Sequence, residues 1–183
     1  MRPRRRRYPI GAAHTPYRQW KIYRKKYLLI GTSRGDEWSY PLGGLVATVL
    51  ADNLPSSRAQ VSRAPGSWRL ASLISTGQMP LIILSRADAR ALAEGTAPFA
   101  DFGGIALRAL FRFGDYLLIS RPDFPKRHAY LVAGTLAAHA GELPDAAPLS
   151  KGEGPIPVHA GALAMARGEP PPVQDAAATD AAD

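Results

Sequence analysis

The chain has 183 residues, of which 46% are hydrophobic, and it carries a formal charge of +8 with no cysteine. This length suits one domain with tails. The absence of cysteine excludes disulfides, thiolate metal sites and a cysteine nucleophile. No apolar run approaches the roughly 18 residues that a membrane-spanning helix needs.

The positive charge is concentrated at the start of the chain. Residues 1–26 contain ten Lys and Arg and no acid, which leaves 13 basic and 15 acidic residues, a net charge of −2, for the remainder. We therefore predict a basic extended arm over 1–26. This arm does not read as an export signal, because its apolar stretch is broken by Pro9 and Gly11 and is too short. The nearly neutral body argues against nucleic-acid binding.

Aromatic side chains alternate with the basic residues of this arm, a combination that can clasp a protein surface. The predicted partner-binding residues of the arm are Arg5, Arg6, Arg7, Tyr17, Trp20 and Tyr23. Two alternatives stay open, a solvated arm without a partner and phosphate binding by the arginine run.

The body begins with alternating strands and helices. Apolar periodicity predicts strands over 27–31, 59–64 and 79–85, and helices over 42–53, 67–77 and 86–95. This order predicts an α/β fold with a mostly parallel sheet flanked by helices. Ligands of such sheets bind outside the carboxyl ends of the strands, which places residues 31–40 and 64–67 at one rim.

The second half of the chain continues the α/β pattern and then changes in composition. Residues 105–121 read as two strands joined near Gly114–Asp115, and residues 127–143 read as a helix. Prolines and glycines are frequent from residue 144 onward. We therefore predict four parts, which are the arm 1–26, an α/β lobe over 27–143, an extension over 144–169 that packs back on the lobe, and a disordered tail over 170–183.

The predicted rim carries small polar residues at two helix starts. Backbone N–H groups and hydroxyls converging there would make an anion site, and ordinary helix capping is the alternative. The catalytic motifs that we considered do not fit. "GTSRGDEW" lacks the lysine of a P-loop, the serines have no His and acid partners in a known nucleophile motif, and the histidines lack metal-ligand spacing. We predict no enzyme activity, no metal and no cofactor.

Residues Ile30–Gly43, "IGTSRGDEWSYPLG", resemble IGTGSTGGTYYPLG, the opening motif of the TAXI family, the solute-binding proteins of TRAP transporters. The identical positions are Ile30, Gly31, Thr32, Tyr40, Pro41, Leu42 and Gly43. The stretches "APGSWRLASLISTGQMPLIILS" and "PVHAGALAMA" follow in the family's order, so the resemblance covers residues 27–166. It implies a periplasmic-binding-protein-like lobe with most of the second lobe missing.

The resemblance also implies a binding site. Family members bind acidic solutes such as dicarboxylates or glutamate, and the matching positions imply ligand contacts at Thr32, Ser33, Tyr40, Gly66 and Ser67. The loop centre departs from the family, because Arg34, Asp36, Glu37 and Trp38 replace small polar residues. We therefore expect a degenerate site in an accessory or structural subunit that docks on a larger assembly. The alternative is a solute-binding component for a dicarboxylate or amino acid.

A lobe without its second half would expose apolar surface, and such a patch needs a cover. Core burial is the alternative for some of the aromatic candidates for that patch. The candidates are Trp38, Phe99, Phe102, Phe111 and Phe113. The family is exported and no signal is visible, so we expect either a cytoplasmic protein or one exported together with a partner.

Overall fold

The computed structural model describes residues 27–173. The predicted arm over 1–26, with its six candidate partner-binding residues, lies outside the described residues. So do residues 174–183 of the predicted tail.

The described chain forms six strands and five helices, and the α/β class predicted from the sequence is confirmed. The strands are β1 Leu29–Ser33, β2 Gln60–Ala64, β3 Leu81–Ser85, β4 Arg108–Phe113, β5 Tyr116–Ser120 and β6 Ala146–Ala147. The helices are α1 Ser39–Asn53, α2 Ser67–Ser75, α3 Arg86–Glu94, α4 Lys126–Ala138 and α5 Ala160–Ala166. Among the described residues, none of these helices is long and apolar enough to cross a membrane.

All six strands belong to one sheet, in the order β2-β1-β3-β5-β4-β6. Strand β1 is parallel to β2 and β3, as the alternating pattern predicts. The β4–β5 hairpin turns at Gly114–Asp115, and a turn this short can only join antiparallel strands. Because β5 inserts beside β3, the sheet as a whole is mixed rather than mostly parallel.

The central strands are buried on both faces by helices. All five residues of β1 are buried, as are four of the five residues in β3. Gly31 lies beneath Leu70 of α2, and Gly43 of α1 lies so close to Thr32 that an added Cβ would come within 2.6 Å of its methyl group. Since successive strand residues face opposite sides, α1 and α2 cover opposite faces of the sheet.

The C-terminal part of the described chain lies on the lobe. Strand β6 pairs with β4 at Arg112 and Phe113, and Val158 forms a bridge with Ala109 of the same strand. Helix α5 packs against α4. The edge of the sheet formed by β4 is therefore covered by residues that follow the lobe.

The expectation of an exposed aromatic patch is largely wrong. Phe99, Phe111 and Phe113 are buried members of the hydrophobic core, and Phe102 packs against that core partly buried. Phe111 and Phe113 lie on β4, which contacts helix α4 and strand β6, and Phe99 and Phe102 lie in the connection between α3 and β4. Trp38 alone among the five is strongly exposed, at 68% of its surface.

Candidate functional site

The rim predicted from the sequence lies at the carboxyl ends of β1, β2 and β3. The connection after β1 leads to β2 on one side of β1, and the connection after β2 leads to β3 on the other side of β1. Such a reversal opens a crevice beyond the strand ends, where open α/β sheets bind their ligands. Residues 34–38 and the first turns of α1 and α3 surround this point.

A carboxylate of the chain itself lies at the start of α1. Oδ1 of Asp36 accepts the backbone N–H groups of Trp38 at 3.0 Å and of Ser39 at 3.2 Å. The hydroxyl of Tyr116, at the start of β5, donates to the same oxygen at 2.9 Å. Backbone N–H groups at a helix start attract anions, so Asp36 holds the position that an anionic ligand of α1 would take.

The loop between β1 and α1 is fastened by its own hydrogen bonds. The hydroxyl of Ser39 accepts the N–H of Ser33 at 3.2 Å and lies 3.3 Å from the carbonyl oxygen of Ser33. The N–H of Gly35 donates to Oγ of Ser33 at 3.1 Å. Because these polar groups already have partners within the loop, few of them remain to bind a ligand.

The structure does not gather the five predicted ligand contacts at one point. Thr32 is fully buried and donates its hydroxyl to the carbonyl oxygen of Ser62 at 2.8 Å. Tyr40 points outward, with its ring 4.6 Å from the guanidinium carbon of Arg63. The hydroxyls of Ser33 and Ser67 do meet, at 3.5 Å, beside Gly66.

Sequence reasoning missed the Asp36–Tyr116 pair. Asp36 precedes Trp38 by two residues and Ser39 by three, and it accepts the N–H groups of both. This spacing at a helix start is a known capping pattern, and it could have indicated the role of Asp36. Tyr116 lies 80 residues away, and only the pairing of β5 with β3 brings it to the rim. No local sequence signal could have found it.

The two helix starts on opposite faces differ in their capping. The cap position of α2 is Gly66, and no side chain caps its first turn in the described part of the protein. Arg34 follows β1, Arg63 lies in β2 and Arg69 lies in the first turn of α2, and all three residues are exposed. This side of the rim is therefore basic, and no side chain of residues 27–173 caps the N–H groups of its helix start.

The side of the rim formed by β3 and β5 is acidic. Burial, as the largest cause, the hydrogen bond to Asp36 and the charges of Asp36, Asp115 and Asp88 together raise the pKa of Tyr116 to about 12. The pKa of Asp88 is raised as well, by burial first and by the charge of Asp36 second. A like charge disfavours ionisation, so this half of the crevice disfavours an acidic solute.

Three large aromatic side chains are exposed around the rim. Trp38 precedes α1, Tyr40 lies in its first turn, and Trp68 lies in the first turn of α2. Tyr40 exposes 38% and Trp68 44% of its surface, although the ring of Trp68 also packs against Phe102 with 5.3 Å between centroids. Exposed aromatics grouped around one site are typical of protein-binding surfaces.

Comparison with family models found no match, and no curated protein matches this chain. The likeness to the TAXI family therefore stays a prediction from the quoted motifs. Within residues 27–173, no three His, Asp or Glu side chains are grouped in a way that could hold a metal ion.

Proposed function

We propose that this chain is a non-catalytic accessory subunit, derived from a TAXI-type solute-binding protein, which docks on a larger protein assembly through its rim. One observation supports this most directly. The exposed residues Trp38 and Trp68 flank a crevice in which the chain's own Asp36 occupies the helix start. The arm residues predicted above, Arg5 to Arg7, Tyr17, Trp20 and Tyr23, belong to the same proposal.

The energetics favour docking over solute binding at α1. Burying a large apolar side chain contributes about 2 kcal/mol, and tryptophan is among the residues that dominate protein interfaces. A dicarboxylate at α1, in contrast, would meet the carboxylate of Asp36. Two carboxylates sharing one site repel each other, and the N–H groups that would compensate are already bonded.

Affinity capture of the full chain from its source cell tests this function. A partner at fixed stoichiometry should be retained by the natural sequence and lost when Trp38→Ser and Trp68→Ser are combined. Val173→Ser is the matched control, because Val173 is 87% exposed at the far end of the described chain. A chain that remains alone, or a double variant that keeps the partner, would contradict the proposal.

A second candidate function is binding of an anionic solute at α2. Its support is the uncapped helix start at Gly66, beside the hydroxyls of Ser33 and Ser67. Dicarboxylates and amino acids should then raise the melting temperature of the protein, since a ligand that binds only the folded state stabilises it. Ser67→Ala should weaken that shift. A melting temperature indifferent to these solutes would remove this candidate.

A further inference from the structure

The two edges of the sheet differ. The β4 edge is covered by β6 and by the bridge from Val158. Strand β2 forms the other edge, and among the described strands it pairs with β1 alone. Its residues from Gln60 to Arg63 are exposed or half-buried.

The register shows which backbone groups of β2 are open. The N–H of Gln60 donates to the carbonyl of Leu28, and the carbonyl of Ala64 accepts the N–H of Arg34, both at 2.9 Å. Hydrogen-bonding direction alternates along a strand. The N–H and C=O groups of Val61 and Arg63 therefore point away from β1, toward the open edge, and a row of such groups is a template for another strand.

Unpaired positive charges accompany this edge. Arg58 and Arg63 are both exposed, and neither forms an ion pair with an acidic side chain in the described part of the chain. The ring of Tyr40 lies 4.6 Å from the guanidinium carbon of Arg63 and holds this side chain in place. Stacking of this kind leaves the planar donor fork of an arginine available to a carboxylate.

We propose that the outer edge of β2 binds an extended acidic segment of a partner protein, which adds a strand to the sheet. This inference rests on the proposed docking function and names the chemistry of the partner. Backbone hydrogen bonds to Val61 and Arg63 supply the affinity, and side chains at alternate positions of the added strand supply the specificity. One carboxylate of that strand pairs with Arg63, and its apolar neighbours lie toward Val61.

Charge decides between the occupants of this edge. A second copy of the chain would add its own Arg58 and Arg63 to an edge that already carries two exposed arginines, and like charges brought together across strands are destabilising. The chain's segment 1–26 carries ten basic residues and no acid, so it is a poor match as well. An acidic segment neutralises both arginines.

The test uses the full chain and a short synthetic peptide in which glutamate alternates with valine. The peptide should bind, and it should slow hydrogen exchange at the amides of Val61 and Arg63, which exchange rapidly in the free protein. A peptide with lysine in place of glutamate should bind about ten-fold more weakly, and Arg63→Glu should weaken the acidic peptide by about the same factor. Arg90→Glu, an exposed arginine on α3, is the matched control and should have no effect.

Three results would overturn the proposal. The first is that the acidic peptide does not bind. The second is that it binds without slower exchange at Val61 and Arg63. The third is slow exchange at these amides before any peptide is added, which would mean that the edge is already covered. If Arg63→Glu impairs folding, Arg58→Glu provides the same comparison. The peptide test does not vary the rim tryptophans, Trp38 and Trp68. Failure of the peptide to bind can therefore be distinguished from loss of partner capture in the tryptophan variants.

Discussion

The hydroxyl of Tyr116 donates to Oδ1 of Asp36 at 2.9 Å, and this one hydrogen bond joins the β4–β5 hairpin to the start of α1. The same carboxylate oxygen caps two backbone N–H groups of that helix. The crevice where an open α/β sheet would hold a ligand is thus bridged by two side chains of the protein, and the first three predictions follow from this pair.

Removing the carboxylate of Asp36 should destabilise the protein. Asp36→Ala leaves the N–H groups of Trp38 and Ser39 and the hydroxyl of Tyr116 without their acceptor, which should lower the free energy of unfolding by about 2 kcal/mol. Asp36→Asn keeps an oxygen acceptor and should cost about 0.5 kcal/mol. Urea unfolding measures both. Asp52→Ala, an exposed acid near the end of the same helix, is the control and should change stability by no more than about 0.5 kcal/mol.

The Asp36→Ala variant also tests whether the carboxylate fills an anion position. With the helix start vacated, sulfate should raise the melting temperature of the variant more than that of the natural chain, because an anion is stabilised by the free N–H groups. The two proteins should be compared at equal ionic strength, with chloride as the reference salt. Equal responses to sulfate would mean that the site does not accept an external anion.

Stability at high pH should depend on Tyr116. Its pKa is about 12 in the folded protein, against about 10 in the unfolded chain, so folding favours the neutral phenol. The corresponding stability is complete below about pH 10 and is lost as the pH rises through about 12. Tyr116→Phe should flatten the decline in unfolding free energy between these values. A decline as steep in this variant as in the natural chain would contradict this prediction.

The side chain of His159 should make the C-terminal helix sensitive to acid. His159 is only 2% exposed, accepts the N–H of Gly161 at Nδ1, and donates from Nε2 to the carbonyl of Phe124 at 2.8 Å. This arrangement requires a neutral ring. Burial lowers the pKa of His159, and the positive charges of Arg108 and Lys126 lower it too, against the opposing effect of the Phe124 carbonyl.

A lowered pKa in the folded state means that the contribution of His159 to stability is present above about pH 6.5 and is lost as the pH falls through the folded-state pKa. Hydrogen exchange in α5 should therefore accelerate between about pH 7 and about pH 5 more than exchange in β1. His159→Asn keeps an acceptor for Gly161 and should remove the difference, with some loss of stability at neutral pH. Exchange in α5 that is independent of pH after correction for intrinsic rates would refute this.

The sequence predicts the strands and helices well because the spacing of apolar residues indicates which face of each element is buried. It places β1 at 27–31, whereas the strand runs from Leu29 to Ser33, since Thr32 and Ser33 read as loop residues. Both are in fact buried, and their hydroxyls are bonded within the fold. Polar residues that end a buried strand beneath a rim cannot be distinguished from a loop by hydropathy alone.

The parts that the sequence does not predict depend on pairing between distant segments. The insertion of β5 between β3 and β4 sets the mixed order of the sheet, and it brings Tyr116 beside Ser85 and within reach of Asp36. Similarly, Phe111 and Phe113 belong to the hydrophobic core of a strand, β4, that contacts both helix α4 and the later strand β6. The predicted exposure of these phenylalanines is wrong for that reason.

The packing of α5 on α4 should depend on Gly161. A Cβ at this position would overlap the carbonyl oxygen of Lys126 and lie 3.0 Å from the Cβ of Ala129, so Gly161→Ala forces the two helices apart. Overpacking of this kind costs about 1–3 kcal/mol, and the cost should appear in urea unfolding together with faster exchange in α5. Gly141→Ala is the matched control, because a Cβ there meets no atom within 4 Å. If both variants unfold at the same urea concentration as the natural chain, then α5 does not pack on α4 as described.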